Sequence, residues 1–118
     1  YLHLNQSLST LSGGELQRLK LASHLGSKNG IFIIDEPTDG LHISDVKKII
    51  DLFDELTEAG NSVFLIEHNL DIIAAADHII ELGPGAGKSG GRIIFEGTSE
   101  EMAASEESVT GKYLRVLY

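Results

Sequence analysis

Ile31-Phe32-Ile33-Ile34-Asp35-Glu36-Pro37-Thr38 carries four apolar residues straight into two acids and a proline. A continuous apolar run of this length reads as a strand covered on both faces, as in a parallel sheet. Charged carboxylates so close to a core are costly unless a metal or hydrogen-bond donors compensate them. In open α/β sheets, ligands bind outside the carboxyl ends of the strands. Asp35 is therefore placed to hold Mg²⁺ through water, and Glu36 to polarise an attacking water. A capped turn with solvated acids accounts for the same residues without a ligand, because Pro37 then simply ends the strand.

Upstream stands Leu11-Ser12-Gly13-Gly14-Glu15. Ser12 and Glu15 have the spacing of a capping box, which predicts a helix starting at Ser12. Leu16, Leu19, Ala22 and Leu25 continue at helical spacing, and Gly26 is the expected stop. The start of a helix exposes unpaired N–H groups and a partial positive charge. Gly13 and Gly14 leave room for a phosphate to approach that backbone, and Ser12 adds a hydroxyl donor. Taken alone, the segment is equally an ordinary capped helix after a loop.

Downstream, a second helix fits Ile43 to Ala59, with Ile43, Val46, Ile49, Ile50, Phe53 and Leu56 on one stripe and Gly60-Asn61 ending it. Val63 to Ile66 reads as another buried strand, Leu70 to Ala76 as a short helix and His78 to Leu82 as a third strand. Gly83 to Gly91 holds five glycines in nine residues and is a loop. Arg92 to Glu96 is then a fourth strand, forming a hairpin with the third around that loop. Ser99 to Ser105 and Val109 to Tyr118 are the last predicted helices. Strands alternating with helices predict an α/β fold with a parallel sheet. There is no internal repeat and no linker.

His68 follows Glu67 at the end of the second strand. If the first two strands are neighbours, it shares an edge with Asp35 and Glu36 and could contact a terminal phosphate; a lone His is otherwise structural. His3, His24, His42 and His78 have no metal-ligand spacing and are assigned to surface or packing. Gly85-Ala86-Gly87-Lys88-Ser89 imitates the tail of a phosphate-binding loop. That motif needs a glycine where Leu82 stands and a helix immediately afterwards, so the stretch reads as a hairpin tip.

The chain has 118 residues, 42% of them hydrophobic, enough for one small domain with a core. It has no cysteine, which excludes disulfides and thiolate zinc sites in this segment and suits a reducing cytosol. Its apolar runs are far too short for a membrane span. Tyr1-Leu2-His3-Leu4 has no basic n-region, so no signal peptide is visible, and the missing initiator Met suggests a piece of something longer. Nine basic against eighteen acidic residues give a net charge of -9, a poor surface for direct contact with nucleic acid.

Taken jointly, these segments resemble the ATP-binding cassette (ABC) superfamily. Leu11, Ser12, Gly13, Gly14 and Glu15, with Gln17, match its signature motif. Ile31 to Asp35 match Walker B, Glu36 the catalytic glutamate, Asp39-Gly40-Leu41-His42 the D-loop and His68 the switch histidine, all in family order. Finer features resemble the UvrA family, the damage-recognition ATPases of bacterial nucleotide excision repair. These are Thr10 to Glu15 with Gln17-Arg18, Asp35-Glu36-Pro37-Thr38 running into Gly40-Leu41-His42, Ile66-Glu67-His68-Asn69-Leu70-Asp71, Leu82-Gly83-Pro84, and the glycine run leading to Gly97-Thr98. The likeness covers roughly residues 1 to 117. Asp39 stands where that family would have Thr, which leaves a UvrA-like paralogue open.

The resemblance implies an incomplete P-loop NTPase fold. Residues 1–118 would be the C-terminal part of the second ATPase domain, comprising signature helix, Walker B, D-loop, switch histidine, hairpin and final helices. The Walker A strand and loop are absent from this sequence. It also implies ATP and Mg²⁺ as ligands of the parent, with Ser12, Gly13 and Gly14 completing the ATP site of an opposing cassette. Asp35, Glu36 and His68 would serve the nucleotide of their own domain. DNA and a UvrB-like repair partner would bind through other parts of a cytoplasmic parent; no zinc and no membrane contact are expected here. The missing strand is expected beside the one ending at His68. Its absence would open a gap before the strand ending at Leu82, at about 1–3 kcal/mol for each buried backbone group left unpaired. A transporter's ATP-hydrolysing subunit and a non-enzymatic ATP-sensing module are the competing readings.

Overall fold

The computed structural model describes residues 20–83 and 91–117. The chain divides into two compact units, Tyr1–Glu67 and His68–Tyr118. In the first, strand β1 (Ile31–Asp35) and strand β2 (Ser62–Ile66) pair in parallel, Ile31 opposite Ser62 and Asp35 opposite Ile66. Helix α1 (Ile43–Glu58) connects them and packs on β2, burying Val46, Ile49, Phe53 and Leu56. Burial of each such side chain is worth about 1.5–3 kcal/mol. Ile43, assigned to the same stripe, is exposed instead, one position after the N-cap. His42 supplies that cap, its Nδ1 accepting weakly from the Ser44 amide at 3.4 Å.

The strand faces are unequal, which corrects the reading of both strands as covered on two sides. Phe32, Ile34, Val63 and Leu65 form a half-buried face. On the other face Ile31 (71% exposed), Ile33 (76%), Phe64 (58%) and Ile66 (61%) meet solvent. A run of apolar residues shows only that both sides tolerate burial, so the sequence alone could not reveal the uncovered side.

Asn61, read as a helix stop, does more. It is 5% exposed, and its side chain accepts from the Gly30 amide at 2.9 Å and donates to the carbonyls of Ser27 (2.8 Å) and Leu56 (2.9 Å). One amide thus ties the approach to β1, the end of α1 and the start of β2. Asn29 beside it takes φ +60°, a conformation that asparagine tolerates. Residues 20–22 are helical and residues 23–26 form a turn, so the first predicted helix ends before Gly26. The Ser23 hydroxyl bonds back to the Lys20 carbonyl at 2.6 Å there, offering the chain an alternative to continued helix. The predicted start of that helix, at Ser12, lies outside the described residues.

In the second unit, α2 (Leu70–Ala75) leads to β3 (Ile79–Leu82), which pairs antiparallel with β4 (Ile93–Gly97). The predicted hairpin is therefore present. A strand, not a helix, follows Gly91, as the rejection of Gly87-Lys88-Ser89 as a phosphate loop required; those residues themselves lie outside the described ones. Helices α3 (Ser99–Ala104) and α4 (Gly111–Leu114) complete the unit, the last far shorter than the span to Tyr118 suggested. Met102, Ala103 and Leu114 form the core, with Leu70, Ile73, Ala74, Ile79 and Phe95 against it. Glu81 clasps the C-terminal segment, accepting from the hydroxyls of Ser108 (2.5 Å) and Thr110 (2.6 Å) and from the Thr110 amide (3.0 Å). Among the described residues no ladder joins β2 to β3: the strands form two separate two-stranded sheets.

Helix α3 opens with a full capping box. The Thr98 amide donates to the Glu101 carboxylate at 3.0 Å, and the Glu101 amide donates to the Thr98 hydroxyl at 3.2 Å. The Thr98 backbone, and then its hydroxyl, hold the Glu101 carboxyl below its ordinary value. A depressed folded value means that this stabilisation is present above the ordinary carboxylate pKa and is lost as pH falls through the lowered one. Glu101→Gln, which cannot ionise, is expected to flatten the acid dependence of amide protection over residues 98–104 in hydrogen exchange.

Candidate functional site

Asp35 closes β1 and is exposed at its carboxyl end. The chain then turns sharply, and Glu36 takes φ +47°, a left-handed conformation rare for a residue with a side chain. Such strain costs on the order of 1–3 kcal/mol and persists only where the surroundings over-determine it. Here the Glu36 amide donates to the Ile66 carbonyl at 2.7 Å, one step past the last strand pair. The Asp39 amide donates to the Glu36 carbonyl at 3.1 Å, and the Leu41 amide to the Thr38 carbonyl at 3.0 Å. Pro37 and Thr38 are buried, while Glu36 is exposed. Burial of the two residues after Glu36 anchors the turn and leaves the Glu36 side chain in solvent.

A side-chain anchor comes from Glu67, the residue directly after β2. Thr38 donates to Glu67 Oε2 through its amide at 3.2 Å and through its hydroxyl at 2.8 Å. Both donors converge on one charged oxygen, and hydrogen bonds to an ionised acceptor are about twice as strong as neutral ones. The reading of the sequence used Thr38 and Glu67 only as motif positions. An acid directly after an apolar strand needs compensation, and Glu67 after Ile66 needs it as Asp35 does.

The first two strands are neighbours, as the argument about His68 required. β2 ends at Ile66, so His68 lies two residues beyond the strand, not at its last position. It is exposed and opens the second unit. Of the D-loop positions, Asp39 and Gly40 are exposed in the turn, Gly40 at φ +73°, Leu41 is half-buried and His42 caps α1. The structure thus brings Asp35, Glu36, Thr38 and Glu67 together at the carboxyl ends of two parallel strands. Leu11, Ser12, Gly13, Gly14, Glu15 and Gln17 lie outside the described residues. His24 packs edge-on against Phe32, with ring centroids 5.2 Å apart, and His78 Nε2 meets Glu96 Oε2 at 2.9 Å.

Comparison with known proteins shows what the chain is similar to. A family profile described as ABC transporter matches residues 2–39. UvrABC system protein A of Aquifex aeolicus is 52% identical over 98% of the chain, and that of Borreliella burgdorferi 52% identical over 99%. The chain spans 13% of the length of each. The crystal structure of UvrA2 from Deinococcus radiodurans superposes with a TM-score of 0.81 at 43% identity, over 92% of this chain and 14% of that one. Sharing about half its residues with these proteins along nearly its whole length, the chain belongs to the UvrA family of ABC-type ATPases.

Proposed function

We propose that this segment supplies the hydrolytic acids of an ATPase that recognises DNA damage in bacterial nucleotide excision repair. The observation that carries the reading is the turn after β1. It presents exposed Asp35 and a left-handed Glu36 at the carboxyl ends of two parallel strands, on anchors that reach both backbone and side chain. Glu36 orients and deprotonates the attacking water. Asp35, a hard oxygen donor open to solvent, suits a Mg²⁺ ion that keeps most of its waters. Such an ion, when bound, neutralises charge on the phosphates. His68 contacts the terminal phosphate, and Ser12, Gly13 and Gly14 complete the nucleotide site of an opposing cassette.

The segment belongs to the second ATPase domain of a cytoplasmic parent, which contacts DNA and a UvrB-like partner elsewhere on its surface. The net charge of -9 supports placing the DNA contact outside this segment. The repair reading is preferred to a transporter subunit because relatives matching 98% or more of the chain are named UvrABC system protein A. The ABC transporter profile covers residues 2–39 alone.

The test uses the purified full-length parent. ATP hydrolysis is measured alone, with undamaged duplex and with the same duplex carrying a bulky adduct. Turnover that responds differently to the damaged duplex is expected. No hydrolysis, or hydrolysis indifferent to DNA, would remove the assignment.

A further inference from the structure

We infer that Glu67 is a positioning residue for the hydrolytic turn: its carboxylate clamps Thr38 and thereby holds Glu36 in its left-handed conformation. The inference rests on the assignment of Glu36 as the base that polarises water. Three observations converge on it. Glu36 occupies backbone space that it would not choose unaided, at φ +47°. Thr38, two residues on and only 8% exposed, gives both its donors to the single oxygen Oε2 of Glu67. The backbone bonds of the turn, Glu36 to Ile66, Asp39 to Glu36 and Leu41 to Thr38, join neutral groups.

The clamp differs from those bonds in kind. A backbone bond fixes one point of the chain. The Thr38–Glu67 pair fixes a side chain and an amide at once, from the residue that directly follows β2. Loss of the carboxylate leaves the buried Thr38 amide and hydroxyl without this acceptor, and the turn can then relax toward an ordinary right-handed conformation at Glu36. The Glu36 carboxylate would move with it. Misplacement of a reacting group by about 1 Å costs on the order of 10²-fold in rate. With both Thr38 donors on Glu67 Oε2, the role assigned to Glu67 is to act through Glu36. The clamp residue is also joined by a single peptide bond to His68, so the same contact steadies the backbone from which His68 departs.

The experiment takes the full-length parent with Glu67→Ala, Glu67→Gln, Thr38→Val, Thr38→Ser and the Glu67→Ala/Thr38→Val pair. Glu67→Ala is expected to lower kcat for ATP by roughly ten- to a hundredfold with KM nearly unchanged. Glu67→Gln keeps an oxygen acceptor and Thr38→Ser keeps both donors, so each should recover most of the lost turnover. Thr38→Val, nearly isosteric, should lose several-fold, and the pair should be no slower than Glu67→Ala alone, the signature of a shared contact. Hydrogen exchange over residues 36–41 gives a readout independent of turnover: faster exchange is expected in Glu67→Ala and Thr38→Val, and near wild-type exchange in Glu67→Gln and Thr38→Ser. Unchanged kcat in both Thr38→Val and Glu67→Ala, an effect confined to KM, or additive losses in the pair would overturn the clamp. Absence of hydrolysis in the wild type would instead strike the ATPase assignment, and the exchange pattern alone would then decide whether the clamp exists.

Discussion

Glu36→Gln in the full-length parent is expected to bind ATP and hold it, with turnover reduced by roughly 10²- to 10⁴-fold, the usual worth of a positioned general base. The amide has the shape of the carboxylate and can sit in the same left-handed turn, so binding and fold should survive while proton acceptance is lost. A filter-binding measurement of retained nucleotide, beside a steady-state phosphate assay, separates the two. Wild-type turnover in this variant would remove Glu36 from its role. Glu36→Gly is an informative companion. Glycine adopts positive φ freely, so this variant should be at least as stable locally as the wild type, with no turnover. A residue that costs stability where it stands and is needed for rate is the pattern expected where strain is stored at a functional site.

Asn61→Ala is expected to cost about 3 kcal/mol of local stability in the first unit. The substitution removes hydrogen bonds to Gly30, Ser27 and Leu56 and leaves those backbone groups with little water to replace them. The loss is large beside a total stability that is commonly 5–15 kcal/mol for a domain. Native-state hydrogen exchange over residues 56–66 reads it directly, since the parent is too large for one unfolding transition to report a single site. Protection within about 0.5 kcal/mol of wild type would mean that the Asn61 amide holds nothing together.

Much of the fold was legible because its signals are local. The heptad-like apolar stripe from Val46 to Leu56 placed α1, the glycine-rich stretch after Leu82 placed the hairpin connection, and the two short apolar runs placed β1 and β2. The acids at the tip of β1 were legible because charge next to a core demands a reason. What was not legible depends on partners far along the chain. Thr38 meets Glu67 across 29 residues, and Asn61 meets Ser27 across 34; no local pattern announces either. The left-handed backbone at Glu36 was hidden for a different reason, since Glu is not a residue that advertises positive φ as Gly or Asn does. The uncovered side of β1 and β2 escaped because a strand's composition does not say how many of its faces find a neighbour.

That uncovered side has a consequence for handling the segment by itself. Ile31, Ile33, Phe64 and Ile66 invite self-adhesion, and the surplus of acids opposes it through mutual repulsion. Added electrolyte weakens only the repulsion, because the range of charge effects shrinks to about 8 Å at 0.15 M ionic strength. Clustering of the segment in isolation is therefore expected to rise with buffer salt, which light scattering across a salt series would show.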